Sequence, residues 1–202
     1  DSVKLLKFRS KAMQESMPIG SSGMIALIGC SEKVAEESIF ATSDYGKLFI
    51  ANDNADGQIV MSGDIGAINY LYENYKSLNI KRAIILPVSA SFHCKFMKNA
   101  SEKMQDEIIN YAFNPFEVPL YSNVTSEICN YDNIKKLLVD QIVSKVRWRE
   151  IIENMIRDGV QNFIEIGPGN VLTNLIRRVS KDVLAISVSK VEDMEKLAKI
   201  DL

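Results

Sequence analysis

Lys47-Leu-Phe-Ile-Ala-Asn-Asp-Asn-Ala-Asp-Gly-Gln-Ile-Val-Met-Ser62 reads as two short strands, Lys47 to Ala51 and Gln58 to Ser62. The polar Asn52-Asp-Asn-Ala-Asp-Gly57 between them is a hairpin-like connection. Working outward, Met24 to Gly29 is a strand and Glu32 to Ser38 a short helix. On the far side, Asp64 to Leu78 is an amphipathic helix with Ile65, Ile68, Leu71, Tyr72 and Tyr75 on one side, and Arg82 to Val88 is a strand. The order βαββαβ in so short a stretch is the ferredoxin-like pattern. It predicts a subdomain over 19–88, inserted into a larger unit formed by 1–18 and 89–202.

The flanking sequence alternates helices and strands. A helix is expected from Val3 to Met17, closed by the turn-rich Pro18-Ile-Gly-Ser-Ser-Gly23. Phe96 to Tyr111 is a helix with the stripe Met97, Ala100, Met104 and Ile108. A strand over Val118 to Ser122 follows, then a helix capped by Asp132 and running to about Ser144, and another from Val146 to Asp158. Asn162 to Ile166 is a strand, Gly167-Pro-Gly169 turns into a helix over Asn170 to Val179, Val183 to Val188 is a strand, and Val191 to Ile200 a last helix. This alternation predicts an α/β fold with a parallel sheet flanked by helices.

Arg9 stands out within the first helix, because the residues three and four away are Leu5, Leu6, Ala12 and Met13. A guanidinium cannot shed its charge, and burying it unpaired is costly. It needs an anion, from a fixed carboxylate or from a ligand. His93 is the only histidine, which removes any multi-histidine metal site. Ser91 is a candidate N-cap just before it, and a helix N-terminus favours the neutral ring that a general base requires. A hydrogen-bonded core histidine is the alternative. Gln141 follows Ile134, Leu137 and Leu138 on one helical face, so its amide needs partners, structural or functional. Cys94 is adjacent to His93, but consecutive side chains diverge, so a small buried thiol is the better reading. Gly167-Pro-Gly169 lacks the third glycine of a dinucleotide loop and reads as a tight turn.

Composition bounds the rest. The 202 residues suffice for one core, or for one core with a smaller second one; 47% are apolar, 25% charged, and the net charge is −2 with basic residues dispersed. That pattern gives no nucleic-acid footprint. The three cysteines, Cys30, Cys94 and Cys129, form neither a disulfide framework nor a metal pattern. The longest apolar run, Met24 to Cys30, is far short of the ~20 residues of a membrane span, and no signal peptide opens the chain. A cytoplasmic setting is expected. Asp1-Ser2 reads as a helix cap without an initiator methionine, so further sequence upstream is expected too.

Together, Phe8-Arg-Ser-Lys-Ala-Met-Gln14, Asn52-Asp-Asn-Ala-Asp-Gly-Gln58 and Leu86-Pro-Val-Ser-Ala-Ser-Phe-His-Cys94 resemble a known family. Val118-Pro-Leu-Tyr-Ser-Asn123, Gln141, Val146-Arg-Trp148 and Glu165-Ile-Gly-Pro-Gly169 extend the match over essentially every residue. The chain is similar to the malonyl-CoA:acyl carrier protein transacylases of fatty-acid synthesis and to the acyltransferase domains of polyketide synthases. The resemblance implies an α/β-hydrolase-like large domain with a ferredoxin-like insert. It implies that His93 is the catalytic base, that Arg9 grips the malonate carboxylate, and that the main-chain carbonyl of Gln141 orients the histidine. Asn54 would be a polar pocket residue, and the bulk of Phe92 would disfavour a methylmalonyl branch. The partners implied are malonyl-CoA and acyl carrier protein, with no resident cofactor or metal, and a monomer is expected. The family's nucleophile is a serine in a Gly-x-Ser-x-Gly elbow, a motif this sequence does not contain. The chain is therefore expected to be the carboxy-terminal portion of such an enzyme. A non-catalytic remnant that binds carrier protein, and a thioesterase of the same architecture, are the alternatives. Ala55-Asp56 where Ser-Pro is common, and Lys145 where proline often precedes Val-Arg-Trp, are the local departures.

Overall fold

In the computed structural model, which describes residues 1–197, the opening stretch is a hairpin, but its polar segment is strand rather than turn. Strand β2 runs Leu48–Ala55 and β3 runs Gln58–Asp64, leaving only Asp56 and Gly57 to turn the chain. The pairing slips between Ile50 and Asn52 and again between Asp53 and Ala55. Two such bulges add residues to one strand and re-aim its side chains. β1 (Ser22–Ile28) and β4 (Arg82–Ile85) complete an antiparallel sheet in the order β2-β3-β1-β4. That is the ferredoxin-like order. β4 stops before Pro87, which has no N–H to donate, so the strand expected to reach Val88 ends earlier.

Helices α2 (Glu32–Ala41) and α3 (Ile65–Asn74) cover one face of this sheet. Ile25, Leu27, Met61, Ile68 and Leu71 fill the core between them, all buried. Ile65 and Tyr72, expected on the buried side of α3, are exposed, and Ala67 takes the inner position. Gly63 is required where β3 passes β2: a Cβ there would sit 2.2 Å from the carbonyl oxygen of Lys47.

Outside this insert, α1 (Ser2–Gln14) packs on α4 (Lys98–Ile108), which a 3₁₀ turn over Lys95–Met97 precedes. The stripe Met97, Ala100, Met104 and Ile108 is buried against Leu5, Ala12 and Met13, as its spacing predicts, whereas Leu6 is exposed. α5 (Ile134–Asp140) joins this core through Val139. A 3₁₀ turn over Tyr131–Asn133 leads into it, capped by the Asn130 side chain, which accepts from the Asp132 N–H. The expected Asp132 cap therefore lies inside that turn, and Asn133 precedes α5 without a side-chain cap bond. The strand expected over Val118 to Ser122 is only a single bridge, Tyr121 to Ile128.

The last layer is parallel. β5 (Asn162–Ile166) pairs with β6 (Leu184–Val188), and α7 (Val171–Val179) crosses between them, with α6 (Trp148–Arg157) packed alongside. Gly167 and Gly169, both at positive φ, make the turn into α7. The Glu165 carboxylate closes that turn by accepting the N–H groups of Leu172 and Thr173. A short helix α8 (Met194–Leu197) follows; the part of the expected last helix beyond it lies outside the described residues. Among the described residues no helix is long and apolar enough to cross a membrane.

Candidate active site

His93 sits in the loop between β4 and the 3₁₀ turn, held from several sides. The Ser62 hydroxyl, on the buried β3, donates to the Phe92 carbonyl at 2.7 Å, and the Cys94 thiol donates to the Ser91 carbonyl at 3.3 Å. The backbone of His93 itself is left-handed, with φ 57°. That conformation costs a side-chain-bearing residue about 1–2 kcal/mol, and the surrounding hydrogen bonds hold it there. Ser91 is buried but caps nothing, and Cys94 precedes the 3₁₀ turn. The helix-terminus argument for a neutral ring therefore does not apply.

A different set of forces keeps the ring neutral. Burial, and then the positive charge of Arg9, lower the His93 pKa below its usual 6.5, while a bond to the Gln141 carbonyl opposes them. Gln141 is the residue that ends α5, so its carbonyl oxygen is left over by the helix. His93 Nδ1 lies 3.1 Å from it. A carbonyl only accepts, so Nδ1 carries the proton and Nε2 presents its lone pair. The Gln141 side chain is engaged elsewhere, taking a long 3.5 Å bond from Asn123 Nδ2.

Arg9 and His93 line one cleft of about 480 Å³, with Asn52, Asn123, Gln141, Val146 and Trp148 among its walls. A second cavity of about 290 Å³ continues on the other side of the same pair and is walled by Phe92 and Met13. Among the described residues Arg9 forms no ion pair, and its Nε is buried without a hydrogen-bond partner. Burial lowers its pKa from the ordinary value, and a guanidinium keeps its charge in proteins. Trp148 Nε1 is a second buried donor without a partner. A cleft presenting an unpaired guanidinium beside a neutral imidazole can take up an anion and move a proton next to it.

The structure thus brings together Arg9, His93, Gln141 and Phe92, but not Asn54. The asparagine on the cleft wall is Asn52, two residues earlier on the bulged β2 than expected. Asn123 and Trp148 were not assigned roles from sequence, although both fall in quoted motifs. They converge because the Arg147 N–H donates to the Asn123 carbonyl and its guanidinium to the Val124 carbonyl. Asp53 and Arg149 gave no signal at all, being far apart in sequence. Asp53, 1% exposed, receives Arg149 Nε and Nη2 at 2.7–3.2 Å. Hydrogen bonding to Asp53 raises the Arg149 pKa above its ordinary value. Lys145, where proline is common in the resembled family, bonds Glu32 of α2 at 2.6 Å. Among the described residues no cluster of His, Cys, Asp and Glu could hold a metal ion.

Fold and cleft define a mixed α/β domain organised around one carbonyl-oriented histidine and one unpaired arginine. The family model for the acyl transferase domain matches residues 1–199, and the chain belongs to that family. It is 36% identical over 197 residues to the malonyl CoA-acyl carrier protein transacylase of Bacillus subtilis, covering 96% of this chain and 62% of that relative. The corresponding protein of Escherichia coli K12 is 34% identical over 191 residues, covering 94% of this chain and 62% of that relative. The crystal structure of the Clostridium perfringens transacylase superposes with a TM-score of 0.92 at 39% identity, covering 97% of this chain and 62% of that one. A malonyl-transacylase solved with its type II PKS acyl-carrier protein superposes at 0.92 and 30% identity, covering 96% and 63%. The chain therefore spans less than two thirds of the length of these relatives.

Proposed function

We propose that this chain provides the base and the acid-recognising arginine of a malonyl-CoA:acyl carrier protein transacylase. The observation that carries the reading is the unpaired Arg9 guanidinium lining the same cleft as a neutral, carbonyl-oriented His93. Malonyl-CoA has a free carboxylate a few bonds from its thioester. With that carboxylate on Arg9, the thioester carbon lies toward the imidazole. A two-point, charge-assisted contact fixes the acyl group in place, which a lysine could not reproduce.

His93 Nε2 takes the proton of a serine hydroxyl as its oxygen attacks the thioester carbon. The C–S bond breaks, the CoA sulfur leaves with the proton from His93, and a malonyl-serine remains. In the second half the phosphopantetheine thiol of the carrier protein gives its proton to His93 and attacks the ester. Serine then recovers its proton. Gln141 holds the ring in the tautomer that both halves need. Among the described residues no serine hydroxyl hydrogen-bonds to His93, and the proposal assigns the nucleophile to the length of the relatives that this chain does not span. CoA is a substrate here and phosphopantetheine arrives on the partner, so the chemistry calls for no resident cofactor. Phe92 walls the cavity beside Arg9 and His93, which favours malonyl over the branched methylmalonyl group. A monomer working in the cytoplasm completes the proposal.

The plain α/β-hydrolase alternative gives Arg9 nothing to bind, because an uncharged thioester carries no carboxylate. The test is transfer of labelled malonyl and acetyl groups from their CoA thioesters to holo acyl carrier protein by the intact enzyme. The proposal expects malonyl transfer to dominate; equal transfer of both, or hydrolysis alone, refutes it.

A further inference from the structure

The segment 141–149 is fastened at three points, and two of them are on the bulged strand of the insert. At one end the Gln141 carbonyl accepts from His93. In the middle, Val146 forms a parallel bridge to Asn52: the Asp53 N–H donates to the Val146 carbonyl at 2.9 Å, and the Val146 N–H to the Ala51 carbonyl at 2.8 Å. At the far end Arg149 grips the Asp53 carboxylate through Nε and Nη2 and reaches Glu153 with Nη1 at 3.3 Å. Asn52 and Val146, the residues flanked by these fastenings, are both on the cleft wall with Arg9 and His93. A bulged strand is locally short of ladder bonds and would otherwise be the easiest part of the sheet to shift. A buried carboxylate held by a fork of nitrogens has one comfortable position, which makes it a geometric reference more than a source of stability.

We propose that the Asp53–Arg149 pair is a positioning latch for acyl-donor binding, holding Asn52 and Val146 in register with Arg9 across the cleft. Neither member touches the cleft, so the pair acts through its neighbours. This deepens the transacylase reading and rests on it. Loosening the latch moves one wall of the acyl site while leaving the His93–Gln141 contact in place. It therefore weakens binding of malonyl-CoA without disabling the base.

The experiment is steady-state malonyl transfer by the intact enzyme carrying Arg149→Met, Arg149→Lys or the double change Asp53→Leu with Arg149→Met. Arg149→Met is expected to raise KM for malonyl-CoA about tenfold with kcat within about threefold. Arg149→Lys, which keeps a charge but not the fork, should fall between it and the unmodified enzyme. The double variant removes the buried charge and refills the space, so it folds even if Arg149→Met alone does not. Its KM should also rise. The acid limb of the pH profile should stay where it is in all three. A purely structural pair would lower kcat with the folded fraction and leave KM unchanged, and that result overturns the proposal, as does a normal KM in the double variant. If the unmodified enzyme transfers no malonyl group, the functional reading fails instead, which separates the two.

Discussion

Replacing Arg9 by methionine should make the protein more stable and its chemistry less selective. In the unliganded cleft the guanidinium is half-buried, forms no ion pair among the described residues and leaves its Nε without a partner. Removing a desolvated charge and filling its volume with an apolar chain of similar length is stabilising when nothing balances that charge. Allowing for partial exposure, the gain is about 1 kcal/mol, or about 2–4 °C in Tm for a chain of this size. In the proposed malonyl-CoA complex the sign is the opposite. A charge-assisted contact to the substrate carboxylate contributes about 2–3 kcal/mol, so its loss lowers kcat/KM for malonyl-CoA by about 30- to 160-fold. Acetyl transfer, which never used the contact, should be nearly unchanged. Thermal denaturation without ligand and competitive transfer from a malonyl-CoA and acetyl-CoA mixture measure both halves. A destabilised variant that keeps its malonyl preference would refute the reasoning, since Arg9 would then be a structural cation with a partner of its own.

The Asp53–Arg149 pair should respond unequally to removal of its members. Arg149→Met strands a carboxylate that is 1% exposed and should cost about 3 kcal/mol, whereas Asp53→Ala leaves a guanidinium that reaches water and Glu153 and should cost about 1 kcal/mol, measured by urea unfolding. For His93 the sign follows from its lowered folded-state pKa. As pH falls below about 6.5 the unfolded chain takes up a proton that the folded chain refuses, so stability declines until the folded pKa is reached. His93→Gln should flatten that decline in unfolding midpoints compared between about pH 7.5 and 5.5. Phe92→Ala should open the cavity beside Arg9 and raise methylmalonyl transfer relative to malonyl, read from product ratios.

Much of this architecture was legible because its signals are local. The Met97, Ala100, Met104 and Ile108 stripe is a run of three- and four-residue steps, and all four residues are buried as expected. The ferredoxin-like order followed from strand and helix lengths alone. What failed was the reading of the polar Asn52-Asp-Asn-Ala55 as a turn. The strand continues through it with two register shifts, and Asn52 lines the cleft whereas Asn54 does not. The Ser91 and Asp132 caps were misplaced because each helical turn starts elsewhere: the 3₁₀ turn after His93 begins beyond Cys94, and Asp132 lies inside a 3₁₀ turn that Asn130 caps. The Asp53–Arg149 contact has no local signature. The low His93 pKa was anticipated in direction, but its cause is burial and Arg9 in place of a helix terminus.

The most direct measurement is an NMR titration of the His93 ring in the intact enzyme, with and without saturating malonate. An anion seated on Arg9 cancels the charge that helps depress the imidazole, so the His93 pKa should climb toward 6.5 when malonate is added, and it should climb in the Arg9→Met variant with no malonate at all. A pKa indifferent to both would place the arginine's charge outside the histidine's cleft and contradict the account.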